Sequence, residues 1–337
     1  MADKRIAYVT GGTGLLGSHL VERLVADGWG VRALVRGGTD ASALEAPGVE
    51  VVRGDITQPS ETLAAGMRGA SRAFHCAAFV DDWAPLEKML AVNVEGVRHV
   101  LGAALAAGVG RVVHIGSLAV YGNRDQVDLD ETSPFVETGD NYNVTKIACA
   151  RAVREFGRET GLEVATLAPP YIYGPRDRQF FPRVCAALRD GAWVYIDRGE
   201  RPFTPVSVFR LVDACVRAAD APGAGGESFI IADGGPITRR RLVEVLCDEL
   251  GYARPAKSIS RQGARALVPV YEGMARICRA KEAPRLNRFR YKFAATHLTF
   301  DVSKARRMLG WEPERDTEAA LRLTARWFRE NRPDLLP

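Results

Sequence analysis

Residues 5–28 read RIAYVTGGTGLLGSHLVERLVADG, and no other stretch limits the fold as strongly. A β-branched run at 5–10 passes directly into glycines at 11, 14 and 17, and then into a helical pattern at 17–28. A strand that feeds a helix through so short a turn opens a crossover unit, which returns to a parallel strand instead of closing a hairpin. The spacing Gly-x-x-Gly-x-x-Gly is a variant of the dinucleotide fingerprint, its first pair one residue further apart. Gly11 allows the tight turn, Gly14 the approach of a pyrophosphate, and Gly17 the packing of helix on strand. Unpaired N–H groups at the helix N-terminus would face the phosphates.

The same rhythm continues through the first 170 residues. Strand candidates RIAYVT (5–10), GVRALVR (30–36), VEVVRGD (49–55), RAFHCAA (72–78), RVVHIGS (111–117) and EVATLAP (163–169) alternate with helical patterns at 17–28, 85–108 and 142–161. This alternation predicts an α/β fold, a Rossmann-type doubly wound parallel sheet that binds its ligand at the carboxyl edge. After Pro169 the rhythm loosens into turn-rich pieces, with further helices expected near 238–250, 260–281 and 316–331. A chain of 337 residues exceeds one core. Residues 1–169 with about 203–235 are therefore expected to form the dinucleotide-binding domain, and 170–202 with about 236–337 a smaller C-terminal substrate-binding lobe.

Charge and cysteine usage narrow the function classes. The 46 Lys+Arg and 41 Asp+Glu are interspersed, so a net charge of +5 weakly favours an anionic ligand and no nucleic acid is expected as a partner. The six cysteines, at 76, 149, 185, 215, 247 and 278, show no Cys-x-x-Cys spacing. They read as small core hydrophobes in a reducing compartment, and no metal is expected. The start MADKRIAYVTGG lacks a signal-peptide core, and no stretch approaches the roughly 18 uncharged apolar residues of a membrane span, so a cytoplasmic protein is expected.

Three short stretches bear on chemistry directly. In YNVTK (142–146), Tyr142 and Lys146 would share one helix face. A phenol with its usual pKa of about 10 shuttles protons poorly at neutral pH, and a neighbouring cation favours the phenolate. The second strand ends in Val35 and Arg36, with no carboxylate for ribose hydroxyls, so Arg36 is expected to meet a 2′-phosphate and NADP is favoured over NAD. Asp55, in GDIT, is placed to accept from an adenine amino group.

The motifs TGGTGLLG, GDIT, HCAA, NVEGVRHVL, GSLAVYG, YNVTK, PPYIYGP and FDVSKARRMLGWEP occur in an order that resembles the extended short-chain dehydrogenase/reductase family along nearly the whole chain. The resemblance implies a catalytic trio of Ser117, Tyr142 and Lys146. Tyr142 would be the general acid/base, Lys146 would support it and hold the nicotinamide ribose, and Ser117 would position the reacting oxygen. It extends the cofactor set to Thr13, Leu15 and Leu16 in the loop, Ile56 beside Asp55, Ala77 and Ala78 after the fourth strand, and Pro169 and Ile172 after the sixth. Val80, Leu118, Tyr171, Tyr173 and Phe180 are the expected substrate contacts. Asn93 resembles a residue the family uses structurally near the site, although helix packing explains it equally well.

Subclass follows from details. Sugar dehydratases of this family place a carboxylate just after the strand-end Ser/Thr; here Leu118 and Ala119 follow Ser117, which disfavours dehydration. Phe209 stands where the family often has Asp, which weakens a nucleotide-sugar reading. The basic amphipathic stretch at 260–281 resembles the 3β-hydroxysteroid dehydrogenase and sterol-4α-carboxylate dehydrogenase branch, and implies a bulky apolar ketone or secondary alcohol as substrate. The stretch reads equally as a packing helix with a solvated arginine face, or as a peripheral membrane contact. A nucleotide-sugar 4-epimerase and a non-catalytic dinucleotide sensor are the alternatives. Apolar positions on more than one face of 90–107 and 147–158 lead to an expected homodimer.

Overall fold

The computed structural model describes residues 5–122, 124–280 and 282–337. Lys281, at the end of the stretch expected to be helical, lies outside the described residues. Seven parallel strands form the central sheet: β1 (Ile6–Thr10), β2 (Gly30–Val35), β3 (Val49–Arg53), β4 (Arg72–His75), β5 (Arg111–Ile115), β6 (Val164–Ala168) and β7 (Ser228–Ile230). Their spatial order is β3-β2-β1-β4-β5-β6-β7. The chain direction across the sheet reverses between β1 and β4, so a crevice opens beyond their carboxyl ends. β1 lies inside the sheet, flanked on both sides, which explains why Ala7, Tyr8 and Val9 form an unbroken apolar run: both faces are covered.

Helices α1 (Leu15–Ala26), α2 (Ser60–Met67), α3 (Leu86–Ala106), α4 (Asn141–Thr160), α5 (Phe180–Arg189) and α6 (Val208–Asp220) follow in chain order. α1 and α6 cover one face through Leu20, Leu24, Leu211 and Cys215. α2, α3 and α4 cover the other through Met67, Val97, Leu101 and Val153. α3 has the length and hydropathy of a membrane span. It nevertheless carries Glu95 and Arg98 and buries Val97, Val100, Leu101, Ala103 and Ala104 in the sheet half, so it is a core helix.

Past the sheet come α7 (Arg239–Leu250), α8 (Arg261–Ile277), α9 (Arg288–Ala295), α10 (Ser303–Leu309) and α11 (Thr317–Asn331). The lobe packs Phe181, Val243, Leu246 and Phe328 around strands of two or three residues. One boundary differs from expectation. Residues 303–311 were assigned to the lobe, but Ala305, Leu309 and Trp311 are buried in the sheet half's core, where the Trp311 indole donates to the Arg210 carbonyl at 2.9 Å. The apolar face of α10 packs against β7 and α6.

Candidate active site

The turn between β1 and α1 is built for close approach. Gly11 has φ +73°, and a side chain there would sit 2.8 Å from the Ala77 backbone nitrogen. A side chain on Gly17 would collide with the Gly11 carbonyl oxygen. The Gly14 N–H bonds that same carbonyl at 2.9 Å, and no side chain caps α1. Free N–H groups, a positive helix end and a glycine floor fit a dinucleotide pyrophosphate, with Thr13, Leu15 and Leu16 at the turn. Below it, Thr10 Oγ1 lies 2.8 Å from His75 Nδ1 and accepts from the Ala77 N–H at 3.2 Å, tying the β1 and β4 ends together.

Of the expected trio, Ser117 and Lys146 lie at the carboxyl edge of β5, and Tyr142 lies on the first turn of α4. Ser117 begins a tight turn, its hydroxyl oxygen accepting from the Ala119 N–H at 3.1 Å, which leaves the hydroxyl proton to donate. Lys146 is 4% exposed, and its ammonium donates to the Ile115 carbonyl at 3.5 Å, two residues before Ser117. Tyr142 lies one helical turn earlier on α4, its ring edge-to-face with Phe289 at 5.7 Å.

Asn143, which sequence reasoning passed over although it sits inside YNVTK, joins these parts. It is fully buried, its amide donates to the carbonyls of Ala119 (2.6 Å) and Val136 (3.1 Å), and its carbonyl accepts from the Thr138 N–H (2.9 Å). The first turn of α4 is thereby bolted to the turn that Ser117 starts. Asp140 caps the helix at the Asn143 N–H (2.8 Å) and pairs with Lys292 at 2.7 Å. Burial alone would raise the Asp140 carboxyl, but the Lys292 charge together with hydrogen bonds from Lys292, the Asn143 N–H and Thr138 outweighs it and holds the group below its ordinary range.

Beneath Lys146 the rings of His75 and His114 stack at 5.4 Å. Burial, reinforced by the Lys146 charge, drops His75 to about 3 and holds His114 well below its usual value. Both are neutral, so Lys146 carries the positive charge of this floor. Asn93 lies in a wide π-type turn of α3 (Ala91–Glu95) and clamps Phe79 from both sides, accepting from its N–H at 2.8 Å and donating to its carbonyl at 3.0 Å. Its role is to hold the loop after β4.

That loop opens into a pocket of about 320 Å³ bounded by residues 81–85, the N-terminus of α4 with Tyr142, the last turns of α8, and residues 287–289. Its acids are occupied. Asp82 pairs with Arg290 at 2.6 Å, Glu272 with Arg288 at 3.4 Å, and Asp81 accepts from the backbone of Trp83 and Ala84. Arg276 and Arg279 also line the pocket and make no ion pair among the described residues.

The remaining positions are less uniform. Arg36 is exposed at the end of β2, and Arg53, which the sequence reading did not single out, donates to the Arg36 and Thr39 carbonyls beside it. One oxygen of Asp55 is engaged by Thr57, and Ile56 is buried. Ala78 and Val80 are exposed, the Pro169 carbonyl accepts from the Leu118 N–H at 3.1 Å, and Ile172 is half-buried. Leu118 is buried beside Val120 and Ile147. Tyr171 and Phe180 meet edge-on, and both rings contact Phe293 at steep angles in an aromatic cluster. Tyr173 corrects an expectation: it is 1% exposed and donates to Asp233 at 2.8 Å, so it belongs to the lobe's core and not to a pocket wall. Phe209 is exposed and meets His19 edge-on.

Comparison with known proteins agrees with this geometry. Residues 7–232, which contain the glycine turn and the Ser117, Tyr142 and Lys146 positions, match the NAD dependent epimerase/dehydratase family. The chain belongs to that family. It is an NAD-dependent dehydrogenase/reductase of the extended short-chain type. It is 31% identical to the 4-hydroxy-2-methyl-3-oxo-4-farnesyl-3,4-dihydroquinoline-1-oxide ketoreductase of Stigmatella aurantiaca, over 90% of this chain and 91% of that protein. It is also 31% identical to sterol demethylase protein B of Methylococcus capsulatus, over 96% and 98%. Among solved structures, the dTDP-glucose 4,6-dehydratase of Streptomyces venezuelae with NAD bound superposes with a TM-score of 0.77 at 26% identity, covering 97% of this chain and 98% of that one. In this member of the epimerase/dehydratase family, Leu118 and Ala119 fill the two positions after Ser117.

Proposed function

We propose that this family member is a ketoreductase acting reversibly between a ketone and a secondary alcohol on a bulky apolar molecule, sterol-like in size. The observation that supports the reading is the tie between α4 and the end of β5: Lys146 reaches the Ile115 carbonyl, and Asn143, next to Tyr142, holds the turn that Ser117 starts, with no carboxylate directly after Ser117. The two 31% relatives, one a ketoreductase of a farnesylated ring and the other a sterol demethylase protein, support it.

A bound nicotinamide dinucleotide supplies the hydride donor or acceptor. In reduction, the Tyr142 hydroxyl gives its proton to the carbonyl oxygen as the carbon becomes a carbinol, and the proton is replaced from solvent. Ser117 donates to the same oxygen and fixes the carbonyl's orientation. Lys146 stabilises the charge left on the phenol oxygen and would hold the ribose. Neutral His75 and His114 beneath it leave that charge uncompeted. Arg36, with Arg53 beside it, would receive a 2′-phosphate, which makes NADP the preferred cofactor. The paired outer faces of α3 and α4 would form a homodimer contact.

The unpaired Arg276 and Arg279 favour a second reading, a nucleotide-sugar 4-epimerase holding a diphosphate at the pocket mouth. One assay separates them: absorbance of the reduced cofactor is followed with a panel of sterol ketones, 3-oxo acids and UDP-sugars. Net consumption of cofactor with a ketone is expected. Interconversion of UDP-sugar epimers without net consumption would replace the reductase reading.

A further inference from the structure

Helix α8 leaves one long face uncovered. Leu267, Val270, Tyr271, Met274 and Ile277 recur at i, i+3, i+4, i+7 and i+10, a single helical stripe, and the exposure of the last two reaches 61% and 84%. Ten residues of rise make it about 15 Å long. The opposite side is satisfied by the lobe, where Ala264 and Val268 are buried. Of the eleven exposed large apolar side chains among the described residues, five lie on this stripe, so it is not random scatter.

The fringe of the stripe has one sign. Between Arg261 and Ala280 the only acid is Glu272, which is buried and paired with Arg288, whereas Arg265, Arg276 and Arg279 are exposed and make no ion pair among the described residues. A second copy packed across a two-fold axis would set this cationic fringe against itself. A surface that is apolar within and anionic on top matches it. The same helix also walls the pocket that contains Tyr142, through Glu272, Ala275 and Arg276, with Arg279 just past its end.

We propose that α8 docks the protein onto an anionic lipid bilayer, seating the mouth of the Tyr142 pocket at the membrane so that an apolar substrate enters from the lipid. The entry route rests on the ketoreductase reading; the docking does not. The test is co-sedimentation of the full chain with vesicles of phosphatidylcholine alone and of phosphatidylcholine with phosphatidylglycerol in equal parts. The mixed vesicles should carry the protein down, and high salt should release most of it. Met274→Glu with Ile277→Glu should weaken partitioning at least about tenfold, while thermal melting and reduction of a water-soluble ketone stay unchanged. Equal sedimentation of the double variant, indifference of the wild type to both vesicles, or a wild-type dimer that the double variant splits would each overturn the proposal. Failure of the ketoreductase reading would look different: a protein that binds the vesicles and reduces no ketone.

Discussion

The sheet half and the lobe make their parts of the site from different materials. Around β1, β4 and β5 the work is done by backbone: a glycine at positive φ, N–H groups at a helix end, and strand termini locked by Thr10, Asn93 and Asn143. The lobe approaches the same crevice with side chains, joining Arg290 to Asp82, Lys292 to Asp140 and Arg288 to Glu272. Backbone geometry admits few substitutions and suits a ligand part that never varies. Paired side chains can be exchanged piecemeal, which suits the part of the site that selects a substrate.

The sharpest way to break this contrast is at Gly17. Gly17→Val drives a side chain into the Gly11 carbonyl and separates α1 from β1, so cofactor binding should fall by more than about 100-fold, or the sheet half should fail to fold. Cofactor titration alongside thermal melting reads both. Binding within a few-fold of wild type would mean that the turn is not the backbone-built part of the site.

The seam between the halves offers a second test. Burial raises the Asp233 carboxyl from 3.8 to about 7, against the hydrogen bonds it receives from Tyr173 and the Ser207 N–H. The folded protein therefore holds this proton more tightly than the unfolded chain. Its contribution is fully present below pH 3.8 and is lost as pH rises through about 7, a decline of about 4 kcal/mol. Denaturant unfolding across that window should show the slope in wild type and a flattened one in Asp233→Asn. Parallel curves would remove Asp233 from the account.

The smallest effect is expected at the exposed end of β2. Arg36→Ala should weaken NADP binding by about 1–3 kcal/mol, the size of a charge-assisted contact, and leave NAD nearly unaffected. Equal losses for both cofactors, measured by titration, would remove the basis for NADP preference.

The same contrast governs how much was legible in the sequence. All six strands read from the first 170 residues exist, because parallel strands buried on both faces leave apolar runs and glycine turns between them. Tyr142 and Lys146 could be named because positions i and i+4 share one helix face, and Ser117 because its motif resembles the family's. In the lobe the helices expected near 238–250, 260–281 and 316–331 are present, but its strands left little signal. Strands of two residues have no periodicity, and an aromatic such as Tyr173 reads the same whether it lines a pocket or fills a core. The return of 303–311 to the sheet was hidden because the destination of an apolar helix face depends on which surface is free. Asn93 and Asn143 were underread for a related reason: a buried amide's value lies in the backbone groups it meets, here Phe79 and the Ala119 turn, which are distant in sequence.

The proposed function turns on Tyr142, on the first turn of α4, as the group that moves the proton. Tyr142→Phe keeps the ring and its contact with Phe289 and removes only the hydroxyl. The direct measurement is a single-turnover mix of enzyme, reduced cofactor and a ketone substrate, with cofactor affinity determined separately for each protein. The account predicts unchanged cofactor binding and a rate of cofactor oxidation lower by roughly 10²–10⁴ than wild type. A phenylalanine variant that oxidises the cofactor at close to the wild-type rate would contradict it.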